Sequence, residues 1–148
     1  LETVRTLKDH PRFWAIKEAS GSPKDFANYV EACDGAPVYS GDDAMLPSYV
    51  PLGGKGLVSV ASNVWPKETQ EYTRQALAQN LKDADLWKEC SNVLFCVSNP
   101  IPAKRLLSEM GTIKTSILRS PLDESELEDA SELLTADQKI KKWYQSQI

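Results

Sequence analysis

The sequence has no long apolar run. Its longest, Val93-Leu94-Phe95-Cys96-Val97, is five residues, where a membrane-crossing helix needs about 20, so no membrane segment is expected. Nor is there an excess of positive charge: 17 Lys and Arg stand against 21 Asp and Glu, for a formal net charge of −4. The basic residues are scattered, which removes the electrostatic reason to expect nucleic acid or an anionic membrane as partner. Cysteine is scarce and odd in number. Cys33, Cys90 and Cys96 form no C-x-x-C pair, which argues against a disulfide framework and a zinc site and for a reduced, cytoplasm-like compartment. Each is expected to be buried as a small hydrophobe. The glycine-rich dinucleotide fingerprint is missing, and Gly53-Gly54-Lys55-Gly56 lacks the spacing of a phosphate loop, so neither a cofactor nor a metal is expected. The opening residues Leu1-Glu2-Thr3-Val4-Arg5 carry neither an initiator Met nor a basic-then-apolar leader; they read as the start of a piece of a longer chain.

What is present is ordinary globular material. Over 148 residues, 41% are hydrophobic and 26% charged, with 7 Gly and 9 Pro, and such a composition supports a core. Short β-rich runs at 13–18, 38–40 and 57–60 follow one another at about 20-residue intervals, the spacing of βα units feeding a parallel sheet. Between the first two, Pro23–Cys33 reads as a helix with Ser22 as N-cap and Pro23 at its first position. Phe26, Tyr29, Val30 and Cys33 fall on one face, which should lie on the sheet. A helix over 43–52 must be short or bent because it contains Pro47 and Pro51.

After residue 60 helical periodicity takes over. Helices are expected over 66–80 and 83–97, the latter with Leu86, Cys90, Leu94 and Val97 on one stripe. Further helices are expected from Asn99-Pro100 to about 110, stopped by Gly111, and over 124–134 and 136–145, the last packing Ile140, Trp143 and Tyr144. Leu86, Trp87, Leu94 and Phe95 serve either a helical interface between subunits or packing within the helical part. Three βα units and a helical appendix make an α/β chain: about strands six to eight of a (β/α)8 TIM barrel over 1–81, then an all-helical C-terminal domain over 82–148. Three strands cannot close a barrel, and an open doubly wound sheet is the alternative fold.

Lys17 is the sharpest chemical feature. Strand alternation puts Phe13, Ala15 and Lys17 on one face and Trp14, Ile16 and Glu18 on the other. Strands of parallel α/β sheets have both faces covered, so Lys17 is expected to point somewhere buried. In a barrel it would sit near the C-terminal end of its strand, where barrel enzymes place catalytic groups. The bland alternative is a strand-end lysine with its ammonium in water. Burial disfavours a charged amine, and the neutral amine is the form that attacks carbonyls. An imine formed with a 2-oxo acid acts as an electron sink: the adjacent carbon loses a proton, and the resulting enamine adds to an aldehyde.

Four runs in order carry a resemblance: Ile16-Lys17-Glu18-Ala19-Ser20-Gly21; Ser40-Gly41-Asp42-Asp43-Ala44; Gly53-Gly54-Lys55-Gly56-Leu57-Val58-Ser59-Val60 with Asn63; and Asn99-Pro100-Ile101-Pro102-Ala103-Lys104. Over essentially the whole chain they resemble the dihydrodipicolinate synthase family, within the N-acetylneuraminate lyase superfamily of (β/α)8 aldolases. The resemblance implies that Lys17 forms the Schiff base with pyruvate, which is condensed with aspartate 4-semialdehyde in the diaminopimelate route to lysine. It implies that the main chain of Val58 contacts bound pyruvate, and that Gly41 leaves room above the imine. Asp42 is a polar wall of the site or, the preferred reading, a helix N-terminal residue favoured by the dipole. The family's carboxylate-binding threonine pair, relay tyrosine, neighbour-subunit tyrosine and entrance arginine belong to the first five βα units, which this chain lacks; Tyr29, Tyr39, Tyr49 and Tyr72 stand elsewhere in the pattern. A homotetramer, cytoplasmic or plastid location, and no turnover by the chain alone are the accompanying expectations. An N-acetylneuraminate lyase, a keto-deoxy-sugar-acid aldolase, or a noncatalytic half-barrel or interaction module are the alternatives.

Overall fold

The protein is described by a computed structural model covering residues 1–147. It divides into two compact units, one of Leu1–Ser59 with Tyr72–Lys82, the other of Val60–Glu71 with Asp83–Ile148.

The first unit holds α1 (Glu2–Leu7), β1 (Ile16–Glu18), α2 (Pro23–Cys33), β2 (Val38–Ser40) and α3 (Leu46–Tyr49), continued by a 3-10 turn at Val50–Leu52. β1 and β2 are parallel, with Ile16 beside Val38, Lys17 beside Tyr39 and Glu18 beside Ser40. The first strand is shorter than the pattern predicts. Extending the register would set residues 13–15 beside Gly35, Ala36 and Pro37, and proline has no N–H to give the ladder. Gly35 is also left-handed, at φ +100°. Phe13 N–H turns back to His10 C=O instead (2.8 Å).

The third expected strand, 57–60, is reduced to one parallel bridge between Ser40 and Leu57. Its hydrogen bonds still follow the ladder: Lys55 N–H to Val38 C=O (3.0 Å), Ser40 N–H to Gly56 C=O (2.9 Å), Val58 N–H to Ser40 C=O (2.8 Å). It ends because Val60 takes helical angles and opens a 3-10 turn at Ala61–Asn63.

α2 begins as expected, with Asp25 N–H bonded to Ser22 Oγ at 3.2 Å, and ends at left-handed Asp34. Its apolar face builds the core: Phe26, Ala32 and Cys33 are buried with Val4, Val38 and Tyr49, while Ile16, Tyr29 and Val30 pack against them. Phe26 stacks on Tyr49 with ring centroids 4.0 Å apart, an arrangement that adds to simple area burial.

The second unit is helical: α5 (Ala84–Val93), α6 (Ile101–Glu109) and α7 (Ser131–Gln145), with a 3-10 turn at Glu124–Glu126. α4 (Pro66–Leu77) has its first six residues here and the rest in the first unit. α5 stops before Val97, and its buried stripe is Trp87, Cys90 and Ser91, continued by Leu94, one residue round from the expected stripe at its start. Trp87 and Leu94 are thus internal packing residues, whereas Phe95 is 47% exposed. Gly111, at φ +70°, follows α6 as the expected stop.

The two helices expected over 124–134 and 136–145 are instead a short turn and one continuous α7. Asp123 and Asp129 accept the N–H groups of Ser125 (2.9 Å) and Ser131 (2.8 Å), holding the earlier segment in turns. Ala136 offers no break, because alanine is the best helix former. α7 buries Leu133, Ala136, Asp137, Ile140 and Trp143. Trp87 meets Trp65 and Trp143 edge-on at 6.3 and 5.6 Å. The outer two indoles donate to carboxylates, Trp65 to Asp137 (3.0 Å) and Trp143 to Asp83 (3.1 Å). Cys33 and Cys90 are buried, but Cys96 is exposed, beyond the end of α5 and outside its packed stripe.

Candidate active site

Paired residues of neighbouring parallel segments point to the same side of the sheet. The register therefore makes one row of Lys17, Tyr39 and Gly56, and a second row, two residues further along, of Ala19, Gly41 and Val58. The ladder continues into the second row through Gly41 N–H to Glu18 C=O (2.6 Å). Ile16, Glu18, Val38 and Ser40 face the opposite way, and there Ile16 and Val38 meet the core.

Lys17 is exposed, contrary to the expected burial. The apolar core of the unit lies on the opposite face of β1, so alternation sends the lysine to the open side. Its stem runs toward the second row. A Cβ placed on Gly41 would lie 2.5 Å from Lys17 Cε, 2.7 Å from Ala19 Cβ and 3.1 Å from Glu18 C=O. Any side chain at Gly41 would occupy the lysine's path.

Val58 completes the second row and is 45% exposed. Its N–H is spent on Ser40 C=O (2.8 Å), so the carbonyl is the main-chain group it can offer a ligand. Asp42 is half-buried, and its Oδ1 accepts Ala44 N–H (2.9 Å). The carboxylate thereby closes a turn ahead of α3.

The residues around these four are wired to one another. Glu18, 4% exposed, accepts Ser20 N–H through Oε1 (2.7 Å), and Ser20 Oγ accepts Ser22 N–H (3.1 Å), fixing the turn after the lysine. Ser40 Oγ accepts Asp42 N–H (3.1 Å) and donates to Asp42 C=O (2.8 Å). Buried Asp43 accepts the Ser59 hydroxyl at Oδ1 and the Tyr72 hydroxyl at its C=O (2.8 Å). Burial first, then the negative charges of Glu18, Asp42 and Asp25, push the Tyr49 phenol up to about 12. Burial and the charges of Asp43 and Asp42 raise Tyr72 as well. Both phenols are therefore held neutral.

Sequence reasoning passed over Tyr39 and Gly56 as neighbours of Lys17. The signal was present in strand parity, once the Ser40–Leu57 pairing is known. A Cβ on Gly56 would stand 3.0 Å from both Cδ1 and Cε1 of Tyr39, so one edge of the ring borders this glycine.

An amine on a strand end, its stem crossing a bare glycine toward a main-chain carbonyl, is an arrangement suited to capturing a small carbonyl compound. Residues 1–140 match the model of the Dihydrodipicolinate synthetase family. The chain belongs to that family. It is similar to the 4-hydroxy-tetrahydrodipicolinate synthase of Francisella philomiragia subsp. philomiragia, 46% identical over 145 residues, which are 97% of this chain and 49% of that protein. The synthase of Wolbachia pipientis subsp. Culex pipiens is 40% identical over 142 residues, 96% of this chain and 48% of the relative. Among solved structures, the pyruvate-complexed dihydrodipicolinate synthase of Acinetobacter baumannii is 34% identical with a TM-score of 0.81, covering 95% of this chain and 50% of the other. The Thermotoga maritima synthase is 28% identical at a TM-score of 0.83, with 95% and 50% covered. The chain thus spans about half the length of the dihydrodipicolinate synthases it matches, and its fold is that of a portion of this TIM-barrel family.

Proposed function

We propose that this chain supplies the Schiff-base lysine of an enzyme that condenses pyruvate with aspartate 4-semialdehyde. In this reading it forms about strands six to eight of the barrel and the helical C-terminal domain. The observation that carries the proposal is the path of Lys17, which leaves β1 on the open face and crosses Gly41 beside Val58. The neutral amine adds to the pyruvate carbonyl carbon and the adduct loses water to give an imine. The imine nitrogen accepts electron density when a methyl proton leaves, and the enamine carbon then bonds to the aldehyde carbon of the second substrate. Gly41 leaves space above the imine, and the Val58 carbonyl accepts from the hydroxyl of the amine adduct before water leaves.

The remaining length of the relatives would cover the open face and exclude water from the amine. It would also bring the carboxylate-binding and proton-relay groups that this chain does not carry. A homotetramer belongs to the same proposal.

Borohydride reduction in the presence of pyruvate tests it. Intact-protein mass spectrometry should show a pyruvate-sized adduct on the peptide bearing Lys17, and Lys17→Arg should abolish it. An unmodified Lys17 peptide from the intact protein would sink the assignment. Supplying aspartate 4-semialdehyde and, separately, N-acetylmannosamine separates the synthase from the lyase reading.

A further inference from the structure

Tyr39 stands in the lysine's own row, beside Lys17 on β2, with Gly56 on its other side. One edge of its ring borders Gly56: the Cβ position of that glycine lies 3.0 Å from both Cδ1 and Cε1. The lysine leaves this row and reaches the next, where Gly41 and Val58 stand about 6.6 Å further along the strands. A molecule joined to the amine over the second row therefore has the Tyr39 ring one row beneath it. Tyr39 is half-buried and Gly56 is buried, so the missing side chain of the glycine leaves the space that this ring edge borders.

We infer that Tyr39 is a specificity-determining residue: its ring, with one edge against Gly56, closes the bottom of the oxo-acid pocket and sets how long a 2-oxo acid can be accepted at Lys17. The inference rests on the Schiff-base reading of Lys17. An aromatic ring at that depth leaves room for the methyl group of pyruvate and opposes a longer alkyl chain. The hydroxyl is not the working part; the ring is. Removing the ring opens a recess under the imine, and an added methylene gains an apolar contact there. One methylene in an apolar pocket is worth about tenfold or more in selectivity.

The test is borohydride trapping by the intact protein with pyruvate and with 2-oxobutanoate, comparing rates for the unsubstituted protein, Tyr39→Phe and Tyr39→Ala. Tyr39→Ala is expected to raise the ratio of 2-oxobutanoate to pyruvate trapping by about tenfold, while Tyr39→Phe keeps it within about twofold. A ratio is unaffected by a fraction of unfolded protein, which lowers both rates alike. Gly56→Ala, which displaces the ring, is expected to slow 2-oxobutanoate more than pyruvate, and to lose that effect when combined with Tyr39→Ala. An unchanged ratio in Tyr39→Ala, with the unsubstituted protein trapping pyruvate normally, would overturn the floor and leave the Lys17 assignment standing. Absence of any adduct in the unsubstituted protein would overturn the Lys17 assignment and the floor together.

Discussion

Gly41 marks the closest approach in the candidate site, and its missing side chain has a direct consequence. A methyl group there meets Lys17 Cε at 2.5 Å and Ala19 Cβ at 2.7 Å. The lysine stem is flexible and can swing aside, but the Ala19 methyl is fixed to the backbone. Gly41→Ala is therefore expected to cost about 1–3 kcal/mol by overpacking, measured by urea unfolding. It should also slow pyruvate trapping on the order of a hundredfold by diverting the amine. Val58→Ile is the contrasting case. The residue is 45% exposed and its assigned role is main-chain, so trapping rate and unfolding midpoint should both stay close to those of the unsubstituted protein. A tenfold loss of trapping in Val58→Ile would show that the side chain, not the carbonyl, meets the oxo acid.

At the scale of elements, α7 is pinned through Asp137. This buried carboxylate, 8% exposed, accepts the Trp65 indole N–H at 3.0 Å and the Lys141 ammonium at 2.9 Å. The two bonds differ in worth. Lys141 is 45% exposed, so its pairing is screened and amounts to about 0.5 kcal/mol, whereas the indole is buried and would be left without an acceptor. Asp137→Ala is expected to destabilise the helical unit by roughly 1–3 kcal/mol, and Lys141→Ala by no more than about 0.5 kcal/mol. Equal losses in chemical denaturation would contradict this division.

The elements also show what a sequence can reveal. α2 was legible because its signals are local: Ser22 and Pro23 start it, and one apolar face runs its length. The strand at 13–15 was misread because pairing depends on the partner, and the partner there ends in Pro37. Residues 58–60 carry β-rich side chains, yet Val60 goes into a 3-10 turn, a choice absent from alternation alone. Lys17 could be singled out, but its exposure could not, since burial depends on what covers a face. The row of Lys17, Tyr39 and Gly56 needed the register before parity meant anything.

For the molecule as a whole, alkaline pH is the condition that tests its buried acids. Burial raises the Cys33 thiol, raises Cys90 from 9.0 to about 11, and raises Tyr49 from 10.0 to about 12; Tyr72 moves the same way. Each keeps its proton in the folded protein at a pH where the unfolded chain has released it. The folded state then holds more protons, so stability falls as pH rises. The contribution is complete below about pH 9 and is lost from there through about pH 11 for Cys90 and from about pH 10 to 12 for Tyr49. The urea midpoint should be lower at pH 10 than at pH 8, and an equal midpoint would show these groups ionising in place.

The indole cluster gives the two units separate optical voices. Of four tryptophans, Trp65, Trp87 and Trp143 lie in the helical unit, nearly dry and in edge-on contact. Trp14 belongs to the other unit and is 75% exposed. Loss of the helical unit wets three indoles, moves their emission to the red and erases the near-ultraviolet dichroism of coupled rings. Melting of the sheet-bearing unit changes the surroundings of one already hydrated indole and leaves the emission wavelength almost still. Tryptophan fluorescence is therefore a gauge of the helical unit, and the unit that carries Lys17 must be followed by another probe.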